Sequence, residues 1–109
     1  MRLHESLRFE RPEIVSDGQG GTETGWSNQF TTKGAYKRLR GSEAVQAARL
    51  AGRQPTVITI RHFQAARSVT TAWRIVDARS GEVFNIRAAP VETEDRQYLE
   101  ILAESGVAV

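Results

Sequence analysis

The sequence has 109 residues, a mass of 12.1 kDa and a formal net charge of +2 at pH 7. A chain of this length has room for one hydrophobic core, so we expect a single domain over residues 1–109. Hydrophobic residues make up 39% and charged residues 26%, which excludes the composition of a disordered chain, and the lack of cysteine excludes disulfides, thiol catalysis and cysteine-ligated metals.

The N-terminal third predicts two strands joined by a flexible connection. Apolar residues alternate over residues 3–9, and this first strand pattern stops at Pro12. Residues 16–25 contain four glycines and no large apolar residue, which predicts a loop or a long hairpin connection. Residues 26–39 predict a second extended segment, with Gly34 as a bulge or bend.

One short helix is predicted between the second and third strands. Residues 43–52 are rich in alanine, and Ser42 before them is a suitable N-cap. Glu43 suits the positive end of the helix dipole, and Gly52 suits the helix end. Because a helix this short is marginal alone, we expect neighbouring residues to hold it in place.

The second half of the chain predicts an antiparallel meander. Residues 56–63 are rich in β-branched residues, and residues 71–76 and 82–89 flank a tight turn, which predicts a hairpin. Residues 96–104 are open: the preceding hairpin favours a strand, whereas the leucine and glutamate content favours a helix. The whole pattern predicts an all-β fold, a small six-stranded antiparallel β-barrel or sandwich with one short helix between strands two and three.

Residue types that catalysis needs are sparse in this sequence. His4 and His62 lie in different predicted segments, and the serines form no G-x-S-x-G motif. The glycines of residues 16–25 lack the lysine and hydroxyl of a phosphate loop. We therefore expect no enzyme activity, metal or cofactor. No segment approaches the roughly 18 apolar residues of a membrane span, and the N-terminus lacks an apolar leader, so we expect a soluble protein without a membrane partner.

Charge is unevenly distributed along the chain. Residues 33–53 carry six basic residues and one acidic residue, whereas residues 82–109 carry six acidic residues and two basic ones. Such segments predict either complementary interaction surfaces or ordinary solvated surface. The candidate basic site residues are Lys33, Lys37, Arg38, Arg40, Arg49 and Arg53, and the candidate acidic interface residues are Glu92, Glu94 and Asp95.

The order of several short motifs carries a family resemblance. The motifs are residues 9–12, the glycine-rich turn at 17–21 followed by Trp26, residues 38–43, 57–63, 73–76, 81–86 and 98–102. Their joint order resembles the phage head–tail joining family, the head-closure or stopper proteins of long-tailed phages and of phage-derived gene transfer agents. The resemblance covers nearly the whole chain, although the connection at residues 65–70 lacks the proline common in the family.

The resemblance implies a six-stranded β-barrel that assembles as a ring of six or twelve copies of itself. Such a ring lies at the neck of a virion or phage-like particle made in the host cytoplasm, between the portal or adaptor protein and the tail terminator or tail tube. It extends the channel for duplex DNA and helps to retain packaged DNA. In that setting the basic candidates face the channel or the adaptor, and replacing Arg40, Arg49 and Arg53 together with glutamine is expected to impair DNA retention.

Two alternatives remain at this point. Aromatic residues beside basic ones in an OB-like barrel stack on single-stranded bases, which describes a free nucleic-acid-binding protein. A domain this small needs most of its aromatic residues for the core, which weakens that alternative. The other alternative is a different ring subunit of the same neck, such as an adaptor or a tail terminator.

Overall fold

A computed structural model describes residues 2–16 and 18–106. These residues contain one α-helix, α1 (Glu43–Leu50), and a short 3-10 helix at Gln64–Ser68. The strands in them are β1 (Glu5–Ser16), β2 (Thr22–Arg38), β3 (Gln54–Arg61), β4 (Arg74–Asp77), β5 (Val83–Ile86), β6 (Val91–Glu92) and β7 (Tyr98–Ser105).

The strands form a closed antiparallel ring. Their order is β3-β2-β1-β4-β5-β7-β6, and β3 also pairs with β7 along its whole length. The predicted all-β fold, with one helix between strands two and three, is confirmed. The described chain has seven strands rather than six because β6, which pairs with the first half of β7, is two residues long and leaves no alternating pattern in the sequence.

The core fills the inside of the ring with alternate residues from each strand. Phe30 on β2 stacks on Phe9 of β1 with ring centroids 4.7 Å apart, and Phe63 meets Phe30 edge to face. The largest side chains that are fully buried are Phe9, Phe84, Leu7, Ile58, Ile60, Ile75 and Ile101. These residues have the period of two that a strand with one buried face requires.

The same period settles the state of β7, which the sequence leaves open between strand and helix. Leu99, Ile101, Ala103 and Ser105 are buried, whereas the residues between them face outward. A helix of this sequence would place only part of these four apolar or small side chains on one face. Closure of the ring against β3 and β5 therefore outweighs the helix propensity of leucine and glutamate.

The β1–β2 hairpin is much longer than the sequence predicts. The prediction that the first strand stops at Pro12 is wrong, because β1 continues to Ser16, which pairs with Thr22. The glycine-rich loop is correspondingly shorter than the predicted 16–25. Pairing of β1 with β4 ends at Glu10, so Pro12 lies in a strand with one open edge, where a missing backbone N–H is tolerated.

Part of this hairpin projects from the ring as a two-stranded ribbon. We call residues 11–16 of β1 and 22–27 of β2 the arm; its length is about 20 Å at the rise of an extended chain. The overall extents are 48 × 35 × 24 Å, and the radius of gyration is 14.9 Å. A compact chain of this length has a radius of about 13 Å, so the arm elongates the molecule.

Gly34 is a close-packing position rather than the predicted bulge. The irregularity in the β1–β2 pairing lies between Phe9 and Glu10, whereas Gly34 pairs regularly with both neighbours. Gly34 is buried, and a Cβ atom there would lie 2.5 Å from Leu7 Cδ1 and 3.1 Å from the Thr59 carbonyl oxygen. The absence of a side chain thus allows β1, β2 and β3 to approach at this point.

Replacing Gly34 with alanine is expected to lower the free energy of unfolding by about 1–3 kcal/mol, because the added methyl group overpacks a filled core. Urea denaturation of the wild type and the variant measures the loss. The matched test is a double-mutant cycle with Leu7→Val, which removes the nearest atom and should recover part of the Gly34→Ala loss. An alanine variant as stable as the wild type would contradict this packing.

The short helix has the ends that the sequence predicts. Ser42 accepts a hydrogen bond from the Val45 N–H at 3.1 Å, which confirms the N-cap. Gly52 has a φ of 83°, and the Arg53 N–H donates to the Ala48 carbonyl at 2.8 Å in a Schellman motif. No helix in the described part of the chain has both the length and the apolarity to cross a membrane.

Candidate functional site

The structure separates the six predicted basic residues into two groups. Four of them are exposed away from the ion pairs described below: Lys33 and Lys37 on the outer face of β2, Arg40 before α1, and Arg49 in the last turn of α1. Arg38 and Arg53 instead lie close to carboxylates of their own chain. The run of basic charge in the sequence is therefore not one continuous patch.

Arg38 belongs to a network that fastens β2 to the β4–β5 turn. Its two terminal nitrogens each donate to an oxygen of Glu82 at 3.0 Å, and its guanidinium lies 5.1 Å from the Tyr36 ring centroid. The hydrogen bonds from Arg38 lower the pKa of Glu82. This bidentate pair has a structural role within the chain, which Arg38's place in the basic run does not reveal.

Asp77 lies at the buried centre of the same network. Its Oδ2 accepts the Tyr36 hydroxyl at 2.5 Å, and its Oδ1 accepts the N–H groups of Arg79 and Ser80 at 2.8 and 3.0 Å. Burial alone raises the pKa of Asp77, but the hydrogen bonds from Tyr36 and the two backbone N–H groups outweigh burial and lower it. Burial and the Asp77 contact raise the pKa of Tyr36.

Arg61 lies on the outer surface of the ring, together with two of the predicted basic residues. Gly34 pairs with Ile60, so the next outward positions, Lys33 and Arg61, are neighbours across β2 and β3. Both line a depression of about 300 Å³ together with Leu3 and Thr32. We call Lys33, Lys37 and Arg61 the basic face. Sequence reasoning missed Arg61, although the period-two pattern of β3 places it outward beside β2.

The three predicted acidic residues lie together in β6 and the turn after it. Glu92 Oε1 is 3.4 Å from His62 Nε2, so this carboxylate faces its own chain. Asp95 accepts hydrogen bonds from the Thr93 hydroxyl at 2.6 Å and the Gln97 N–H at 3.0 Å, which lower its pKa and shape the turn. Glu94 is exposed in that turn.

The base of the arm is braced against β4. Arg74 Nε donates to Glu10 Oε1 at 2.6 Å, and the Arg74 guanidinium lies 4.4 Å from the Trp26 ring centroid. Both side chains of the ion pair are mostly buried, so solvent screens them less than a surface pair. Trp26 thus holds the arm in a fixed direction, and its ring is not a free platform for base stacking.

A groove runs between α1 and the outer surface of the ring. It has a volume of about 220 Å³, and Leu39, Val45, Ala48, Pro55 and Leu102 give it an apolar lining. Its polar edge contains Glu104, whose Oε2 is buried and accepts no hydrogen bond, although Arg53 Nη1 and Arg87 Nε lie 3.9 and 3.7 Å away. We call this depression the helix groove.

The described residues present three exposed surfaces of distinct chemistry. Across residues 2–16 and 18–106, no group of three or more histidine and carboxylate side chains is placed to hold a metal ion. The exposed groups with distinctive chemistry are the arm, the basic face and the helix groove. The fold and these surfaces together describe an all-β domain with several chemically distinct surfaces.

The chain belongs to the phage head completion protein family, whose model matches residues 1–106. The predicted resemblance to phage head–tail joining proteins is confirmed by this match. Family membership makes the chain a structural protein of a phage or phage-like particle, with a head–tail structural role. No curated protein matches the sequence.

Two solved structures share the fold. A chain in the virion of a native gene transfer agent particle has 24% sequence identity and a TM-score of 0.68, with 100% of this chain and 99% of that chain covered. A Shigella flexneri 2a protein determined in solution has 22% identity and a TM-score of 0.71, with 99% of this chain and 96% of that chain covered. At these identities the similarity shows that the fold is shared.

Proposed function

We propose that the protein forms the head-closure ring at the neck of a phage or gene transfer agent particle. Copies of the chain would form a ring that contacts the portal or adaptor protein on the head side and the tail terminator or tail tube on the other side. Duplex DNA would pass through the lumen, and the protein would act without catalysis. The observation that carries this proposal is the family match over residues 1–106.

The architecture supports assembly from folded subunits. Pairing of β3 with β7 closes the core within a single chain, so the ring of strands needs no neighbour to complete it. Contacts with other copies are then limited to the surface, where the arm and α1 project. A ring of identical copies uses two different patches on each subunit, and this chain has several exposed patches of distinct chemistry.

The basic face is the surface that we assign to the DNA channel. Lys33, Lys37 and Arg61 are exposed on the outside of β2 and β3, where each has access to phosphate oxygens. A few exposed charges per subunit attract duplex DNA through its phosphates without reading its sequence. Arg40 and Arg49 are placed for the adaptor or a neighbouring subunit, and we assign the acidic turn with Glu92, Glu94 and Asp95 to a subunit interface.

Cryo-electron microscopy of particles that carry a tagged copy of the chain tests the proposal. We expect extra density in a ring between the head and the tail, with a copy number that symmetry-free reconstruction gives directly. Untagged particles are the control for the position of the extra density. Tag density elsewhere on the particle, or particles without the chain and a free monomer that binds single-stranded nucleic acid, would contradict the head-closure assignment.

A further inference from the structure

The arm presents an isolated aliphatic side chain near its tip. Ile14 is 76% exposed and pairs across the hairpin with Thr24. Pro12 and Trp26 form another pair two residues away, on the same face of the ribbon. The arm strands pair only with each other, so their outer edges carry unpaired backbone groups that another chain can cover, with Ile14 beside them.

The helix groove is a second apolar surface without a partner in the described chain. Its volume of about 220 Å³ exceeds the roughly 150 Å³ of an apolar cavity that accepts a benzene-sized molecule, so it has room for one isoleucine side chain. At its edge the buried Glu104 Oε2 accepts no hydrogen bond and lies 3.9 Å from Arg53 Nη1 and 3.7 Å from Arg87 Nε.

The charges around these two surfaces are complementary. Glu13 precedes Ile14, and Glu23 lies diagonally across the hairpin; both carboxylates are exposed, on the face of the ribbon opposite to Ile14. The groove has Arg53 and Arg87 at its edge, and the last turn of α1 adds Arg49. Charges of opposite sign attract over roughly 8–10 Å at physiological ionic strength and orient the two surfaces before contact.

The arm of one chain cannot fill the groove of the same chain. Thr24, which pairs with Ile14, and Arg38, which precedes the helix segment, are separated by fourteen residues of β2. At the rise of an extended strand this separation is about 46 Å. The longest dimension of the molecule is 48 Å, so the arm tip and the groove lie at opposite ends of it.

We propose that the arm of one copy docks into the helix groove of the next copy, with Ile14 between α1 and Leu102. Glu13 and Glu23, on the opposite face of the incoming ribbon, then lie near the basic edge of the groove and are attracted to it without direct ion pairs. This contact joins two different patches head to tail, which closes into a ring when the rotation between copies permits. The inference rests on the proposed function, because it supplies the contact between neighbouring subunits of the head-closure ring.

The lack of cysteine in the chain permits a direct test by disulfide formation. We would produce particles with the Ile14→Cys, Ala44→Cys double variant; Ala44 is exposed and lines the groove. Mild oxidation and a non-reducing gel should then show a ladder of linked chains up to the size of the ring. The ladder requires the two cysteines of neighbouring copies to approach within the short Cα distance of a disulfide.

The matched control is the Ile14→Cys, Leu50→Cys double variant. Leu50 is 91% exposed on the same helix but does not line the helix groove. Its cysteine is more accessible, and random collision would favour it over Ala44→Cys. We expect no ladder from this control, because Leu50 lies about 9 Å along the helix axis from Ala44 and so beyond the reach of a disulfide to Ile14→Cys in the proposed contact.

The outcomes separate this inference from the proposed function. Particles that contain the double variant at the neck but give no ladder would overturn the arm contact and leave the head-closure role intact. A ladder of equal strength from the Leu50→Cys control would also overturn it. If the chain is missing from particles, the proposed function fails, and oxidation of the concentrated purified chain then decides whether the arm docks into the groove.

Discussion

Replacement of Asp77 with alanine is expected to lower the free energy of unfolding by about 2–4 kcal/mol, because it removes the charged acceptor of three partly buried hydrogen bonds. The carboxylate is only 3% exposed and accepts three hydrogen bonds, one from Tyr36 and two from the β4–β5 turn. Urea denaturation monitored by tryptophan fluorescence measures the loss. In the sequence, Asp77 has the pattern of an ordinary turn residue. In the structure, its hydrogen bonds connect Tyr36 of β2 to the β4–β5 turn.

Two variants isolate the cause of this loss. Asp77→Asn keeps one acceptor oxygen and should be less destabilised than Asp77→Ala. Tyr36→Phe removes only the hydroxyl group and leaves the backbone hydrogen bonds of the turn in place, so we expect about 0.5–1.5 kcal/mol. An Asp77→Ala variant within about 0.5 kcal/mol of the wild type, as for a neutral surface change, would show that the network contributes little.

The same network predicts a loss of stability in acid. The pKa of Asp77 is below its ordinary 3.8 and that of Glu82 below its ordinary 4.5, so folding favours both charged forms. Their contribution to stability is therefore complete above these ordinary values and disappears as the pH falls through the lower folded values. Unfolding measured at pH 7 and pH 3 should show a smaller acid loss for Asp77→Asn than for the wild type.

Replacing Lys33 and Arg61 with glutamine together is expected to reduce DNA retention by assembled particles. Each phosphate contact contributes about 0.9 to the slope of log binding constant against log salt, so the loss of two contacts should reduce the slope by up to about 1.8. Fluorescence anisotropy with a short duplex measures the slope for the purified chain. Density-gradient analysis of particles after a salt challenge measures the fraction that still contains DNA.

The control for charge alone is the Arg79→Gln, Arg96→Gln double variant. Both arginines are exposed in turns outside the basic face, and the change in net charge is the same. We expect this control to retain DNA like the wild type. Equal loss of DNA in both variants would show that total charge matters rather than the basic face, and no loss in either would remove the basic face from the channel.

The ring of strands follows closely from the sequence. The β-branched run of β3, the turn between β4 and β5, and the Ser42 and Gly52 ends of α1 are local signals, and local signals specify local structure. The sequence pattern of β7 fits either a strand or a helix. Only its pairing with β3 and β5 in the structure shows that it is a strand. The length of β1 was hidden by Pro12, since the rule against proline inside a sheet does not apply to a ribbon with an open edge.

The candidate site was less accessible to sequence reasoning because it depends on contacts between distant residues. Nothing in the basic run shows that Arg38 pairs with Glu82, forty-four residues later. Arg61 lies outside that run, and only the register between β2 and β3 brings it beside Lys33. The helix groove combines residues from α1, β3 and β7, whose proximity is a property of the closed fold.

Separation of the arm from the ring has an evolutionary consequence. The buried side chains belong to the ring, whereas the arm tip beyond the Arg74 brace exposes its residues to solvent. Substitutions at the tip therefore carry little penalty for folding of the ring. In the proposed arm contact, by contrast, a change at the tip must be matched by a change in the helix groove of the next copy, so assembly constrains the two surfaces together where folding does not.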